Sequence, residues 1–249
     1  MAARMRQIWL ATAMMAFALP ASAQTGVPTR EENWQRCMDA EPDRSIAGCT
    51  TVIQSGREQP QDLAFAFANR ALAWIAKAEP EKAIADLDRA IQLDPEDGDS
   101  YSNRGRARLL KGDADARTID RALADHDRAI KLKPYDLRFY DRRGLAFVAK
   151  GEFVRAIEDF DLACELEPDE AEFLANRGFA RLRQGQLEAA RRDYDAALKL
   201  DPKHPEALFG RGVARRRAGD RAGGDADIVA AMGIDSGIAS AMAKKGVQP

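Results

Sequence analysis

The chain is poor in the residues from which catalytic and metal centres are built. Among 249 residues there are two histidines and three cysteines, and only 7% are aromatic. No HExxH, HxxxH or paired CxxC spacing occurs, so no metal site has a ligand set and none is expected. No cofactor is expected either. The glycines of NRGRAR and RRGLAF fall at helix-packing spacings rather than at a strand–helix turn, which excludes a phosphate-cradling loop. Asp113, Asp115 and Asp120 lack the central glycine and terminal glutamate of a calcium loop and read as solvated turn carboxylates. One-signed charge is missing too: the net charge is −2, which argues against nucleic acid or an anionic membrane surface as the main partner. Nothing here makes an enzyme, and a non-catalytic chain is expected.

What is present is a period. Pro134, Pro168 and Pro202 are 34 residues apart, and Pro95 lies 39 before Pro134, one period plus five inserted residues. Between Arg138 and Pro168, Tyr140, Gly144 and Phe147 precede a Lys150-Gly151 break, and Ala156, Phe160 and Ala163 follow it, all at helical spacing. This predicts two amphipathic helices packed antiparallel, with Gly144 and Ala156 letting the backbones approach. The pattern recurs as Phe67, Ala71, Trp74, Ala83, Leu87, Ala90; as Tyr101, Gly105, Ala122, His126, Ala129; as Leu174, Gly178, Ala190, Tyr194, Ala197; and, weakly, as Leu208, Gly212, Gly224, Ile228, Ala231.

On these residues the chain resembles the tetratricopeptide repeat family. The resemblance implies an all-α fold, a right-handed α-solenoid of stacked helix–turn–helix hairpins. The array would cover 62–232, as units 64–97, 98–136, 137–170, 171–204 and 205–235. The ADARTID insertion in the second unit sits at the turn between its helices and is expected to bulge or to extend the second helix by a turn, without breaking the stack. A segment at 236–249 would cap the open end and finish in a frayed tail at 246–249.

Ahead of the array, 1–23 reads as a signal peptide. Arg4 and Arg6 precede an apolar run from Ile8 to Leu19, and Ala21-Ser22-Ala23 is a cleavage signal. The run is too short for a spanning helix, so export in soluble form to the periplasm, without stable membrane insertion, is expected, with the mature chain starting at Gln24. A flexible lead-in is expected at 24–30. Residues 31–56 align as a degenerate hairpin that sets Cys37 and Cys49 across from each other. In an exported protein a disulfide is expected there, the alternative being two buried thiols. Cys164 reads as a small buried hydrophobe, and His126, at the large inward position, as a packed imidazole.

Two charged rows share the period. Arg70, Arg104, Arg143, Arg177 and Arg211 stand at repeat position 7, and Asp86, Asp125, Asp159, Asp193 and Asp227 at position 23. Arginine forks are expected to reach these carboxylates within or between hairpins.

By the resemblance, the first helices of the hairpins line a concave groove that binds a protein or peptide segment. Its apolar stripe would be Leu72, Ile75, Leu145 and Val148, continued by Phe179, Leu182 and Val213. Asn69, Asn103 and Asn176 would bond the segment's backbone, with Arg138 and Arg142 supplying charge. Phe179 has a competing assignment to the core. Some family members clamp a carboxylate; Asn103 and Arg142 match two such places, while Ala68 and Leu72 do not. The expected function is an exported scaffold or adaptor. The alternatives are a homo-oligomer formed through an apolar end repeat and an accessory subunit of an envelope enzyme.

Overall fold

The computed structural model describes residues 28–111 and 115–249. The proposed signal peptide, the start of the lead-in and the Gly112-Asp113 turn lie outside the described residues. Among the described residues thirteen helices follow one another, twelve of them as six hairpins. They are α1 (Arg30–Cys37) with α2 (Pro42–Gln54), α3 (Pro60–Ala76) with α4 (Pro80–Leu93), and α5 (Gly98–Leu109) with α6 (Ala116–Leu132). Next come α7 (Leu137–Lys150) with α8 (Phe153–Leu166), α9 (Ala171–Arg183) with α10 (Leu187–Leu200), α11 (Pro205–Arg217) with α12 (Arg221–Ile234), and last α13 (Ile238–Lys244).

Local chemistry sets the ends. Side chains of Asp97, Asp115, Asp136 and Asp220 accept the first backbone N–H groups of α5, α6, α7 and α12, and prolines at Pro60, Pro80 and Pro205 open α3, α4 and α11. In the third, fourth and fifth repeats the turn inside the hairpin takes a left-handed residue at position 15, Gly151, Gly185 and Gly219 at φ 84°, 85° and 99°. The first repeat puts Ala78 there at φ 54°, which costs about 1–2 kcal/mol. The inserted residues of the second repeat lengthen α6 to 17 residues, against 14 for α8.

Inside each hairpin a small residue faces a large one. A Cβ on Gly144 would stand 2.6 Å from Phe160 Cε1, so only glycine permits this approach. At the N-terminal end Cys37 and Cys49 are bonded, with Cα atoms 4.4 Å apart, in a small cluster with Val52 and Ala66. Each odd-numbered helix from α3 to α9 touches the next odd-numbered one, whereas no two even-numbered helices meet among the described residues. The odd helices therefore form the inner wall of the curve.

The two charged rows interlock. Each position-7 arginine grips its own hairpin's position-23 aspartate with Nε and Nη2, the closest contacts being 2.6–2.8 Å. The remaining Nη1 reaches back to the preceding repeat: Arg104 to Asp88, Arg143 to Asp127, Arg177 to Asp161 and Arg211 to Asp195, at 2.7–3.0 Å. At the first junction Arg70 meets Thr50 Oγ1 instead, at 3.0 Å.

The end of the chain departs from expectation. Helix α13 is only seven residues long and turns 109° from α12. Within the stretch expected to fray, Val247 is fully buried, while Gly246, Gln248 and Pro249 are exposed.

His126 is fully buried, and neither ring nitrogen has a hydrogen-bond partner within the protein. Burial first, then the charges of Arg142 and Arg143, push its pKa down from 6.5 to about 3. Between those values the unfolded chain binds a proton that the folded chain refuses. Stability from this residue is therefore intact above pH 6.5 and falls by about 1.4 kcal/mol per unit as pH drops toward 3. His126→Phe, which copies Phe160, is expected to flatten that loss. Urea unfolding at pH 7 and pH 5 checks it: the advantage of the variant over the parent should grow by about 2 kcal/mol at the lower pH.

Candidate functional site: the inner wall of the helix array

The inner wall divides into an open half and a covered half. In the open half, Phe65 is 51% exposed and stacks on Trp34 with ring centres 6.2 Å apart, and Leu72 is 40% exposed. Half-buried Asn69 lies one turn before Leu72, and its amide nitrogen has no partner within the protein. Leu145 is half-buried. These side chains share a face because positions 2, 6 and 9 of a helix lie along one stripe.

The middle of the wall is cationic. Arg142 Nη1 donates to Ser102 Oγ at 2.9 Å and to Asn103 Oδ1 at 3.0 Å. Among the described residues no carboxylate oxygen lies within 4 Å of its guanidinium, although all five position-7 arginines have at least one. Burial, then repulsion from Arg106 and Arg138, lowers the pKa of Arg142. Arg138 itself is exposed and paired with Asp99 and Asp136. The adjacent Asp141 does not neutralise Arg142. Its carboxylate accepts from Asn176 Nδ2 at 2.8 Å, and burial pushes its pKa up to about 7, so it carries only part of a charge at neutral pH.

Farther along, Glu172 and His204 share a 3.2 Å contact that holds the carboxylate's pKa down and the imidazole's up. Asn176 also lies 3.4 Å from Glu172. The wall therefore passes from apolar, through cationic, to acidic.

The expected apolar stripe is thereby split. Leu72 and Leu145 are accessible, but Ile75, Val148 and Leu182 are only 5%, 5% and 0% exposed and belong to the hydrophobic core. Position 12 sits near the end of its helix, where it meets neighbouring helices; Ile75 packs with Ala107 of the next repeat. Phe179 and Val213, at 8% and 0%, are also core-buried, so no partner reaches them in this conformation. Asn103 is buried beneath Arg142 and acts as its acceptor. Sequence reasoning overlooked Arg106, a cation at a place where its neighbours are apolar, and Asp141. It also overlooked Arg183 and Arg217, which hold the end of the chain.

Among the described residues no group of three or more His, Cys, Asp and Glu could hold a metal ion. Cys164 is buried, and burial raises its thiol pKa to about 11.

Residues 144–185 and 180–219 match the family model described as TPR repeat. The solved structure of YrrB, described as a TPR protein with an unusual peptide-binding site, aligns with TM-score 0.52 and 21% identity over 81% of this chain and 100% of that one. MamA from Desulfovibrio magneticus RS-1 aligns with TM-score 0.57 and 20% identity, covering 72% and 98%. The thermophilic TPR protein TTC0263 from Thermus thermophilus aligns with TM-score 0.60 and 18% identity, covering 70% and 90%. At these identities the likeness is one of fold, an all-helical TPR-like array. No curated protein matches the chain.

Proposed function

We propose that this TPR-repeat chain is a non-catalytic, exported scaffold whose inner wall binds a protein segment carrying an acidic side chain beside apolar ones. The observation that carries the reading is the contrast between Arg142 and the ladder. The position-7 arginines are neutralised by carboxylates, while Arg142, half-buried and next to two more cations, donates only to neutral oxygens. A partly desolvated cation without a counter-charge is costly, and an incoming carboxylate relieves it. Leu72, Phe65 and Leu145 offer apolar contact on either side. That YrrB is described as having a peptide-binding site agrees with this reading.

Export rests on the leader pattern around Arg4, Arg6 and Ala21-Ser22-Ala23, and on the Cys37–Cys49 disulfide, a bond that persists in oxidising compartments. A second reading, self-association, is favoured by one observation: Val229, Met232 and Ile234 are 69%, 45% and 47% exposed on α12 at the end of the array.

Selection of twelve-residue peptides displayed against the immobilised full-length protein tests the binding role. Selected peptides should pair Asp or Glu with apolar residues, and Arg142→Ala should weaken them at least tenfold, with the loss growing at low salt. Peptides without acidic residues, bound equally by the variant, would refute the assignment. For export, N-terminal sequencing of chain recovered from the periplasmic fraction should read from Gln24; an intact Met1 terminus, or retention in the cytoplasm, would overturn it.

A further inference from the structure

Residues 238–249 close the end of the inner wall: α13 packs against α11 and α12. The turn that follows it is gripped from one repeat farther back. Arg183 of α9 donates to the Lys245 carbonyl, and the Lys245 ammonium lies 6.0 Å from the ring centre of Phe179, also on α9. Arg217 of α11 donates to the Gln248 carbonyl at 3.3 Å. Gly246, at φ 79°, closes α13 and turns Val247 inward, where it is fully buried with Ile238 and Met242, each 1% exposed. The wall records the cover: position 9 is exposed at Leu72 and Arg106 but buried at Phe179 and Val213. Position 13 is arginine only in these two repeats, as Arg183 and Arg217, where the others have Ala76, Leu110 and Ala149.

The attachment is slight for its length. A seven-residue helix is marginal on its own, and its tip is held by two main-chain carbonyls, one apolar side chain and one cation over a ring. We propose that 238–249 is a tethered occupant of the groove, and that a partner segment reaching the fourth and fifth repeats must displace it. This rests on the inner wall being the segment-binding surface. The covered half then selects a segment of the same chemistry: an apolar residue in the Val247 place, a cation between Phe179 and Glu172, and carbonyls toward Arg183 and Arg217. Glu172 already feels the Lys245 charge. A tethered segment competes at an effective concentration in the millimolar range, so it suppresses weak ligands and yields to strong ones.

The test uses a fluorescein-labelled synthetic peptide of residues 236–249 and full-length protein. Fluorescence anisotropy should show micromolar binding to Val247→Asp, whose tail is expelled by a buried charge, and at least tenfold weaker binding to the parent. Adding Arg183→Ala and Arg217→Ala to Val247→Asp should lower the affinity at least tenfold. Equal binding to the parent and Val247→Asp, or no binding to a Val247→Asp protein that keeps its helical circular dichroism, would overturn the proposal. Hydrogen exchange on the unaltered protein decides independently of any variant. The Gly246 and Val247 amides should exchange at least a hundredfold faster than those of Ala180 to Leu182, and equal protection would make the segment a fixed cap. Neither readout involves Arg142, so failure here is distinct from failure of the acidic-segment assignment.

Discussion

One arginine per repeat holds the array together. Its fork closes on a buried aspartate of its own hairpin, and its third nitrogen reaches the hairpin before. The inner carboxylates, from Asp86 to Asp227, are under 10% exposed, and an arginine removed from such a site leaves an uncompensated buried charge. The outer carboxylates of Asp88, Asp127, Asp161 and Asp195 are 34–59% exposed, so each contributes only about 0–1 kcal/mol. Repetition gives the weak bond its weight, because in a stack where each unit touches only its neighbours every junction must be held separately. Three aspartates take a second arginine from position 11, Arg108, Arg181 and Arg215, where the other repeats pack Trp74 or Phe147.

Where the ladder stops, the array stops. The place of the outer aspartate is Thr50 before the first repeat and Val229 in the last. Lys245 falls where a sixth repeat would carry its arginine. With neither partner of a rung present, α13 rests on α11 and α12 without a rung, and the turn after it is held by Arg183 and by Lys245 beside Phe179. The same rule that builds the groove thus explains why one half is covered and the other open. The ladder also sets Arg142 apart: the position-7 arginines around it are neutralised, while Arg142 and its neighbour Arg106, both on the wall, have no carboxylate within 4 Å among the described residues.

Much of this was legible from the sequence because packing positions recur. Gly105, Gly144, Gly178 and Gly212 announce one contact four times, and the paired rows of arginine and aspartate announce another five times. What recurs only once was not legible. Arg183 and Lys245 are 62 residues apart, and the first three repeats carry no arginine at that place, so the tail read as a frayed end. The position-12 residues were misplaced for a different reason. Ile75, Val148 and Leu182 share an apolar stripe with position 9, and hydrophobicity alone does not separate a side chain facing a ligand from one facing the next repeat. Asp141 looked like an ordinary surface carboxylate, and only its burial against Asn176 shows that it leaves Arg142 unneutralised.

The dependence of the array on its rungs is most directly measured at Arg143, which meets Asp159 in its own hairpin and Asp127 in the preceding one, with no second arginine at either. A double-mutant cycle in urea unfolding, pairing Arg143→Gln with Asp159→Asn and then with Asp127→Asn, isolates the two couplings. The account predicts about 2 kcal/mol within the hairpin and about 0.5 kcal/mol between hairpins. Additive effects at Asp127, with a coupling indistinguishable from zero, would contradict it: the repeats would then be held by apolar packing alone.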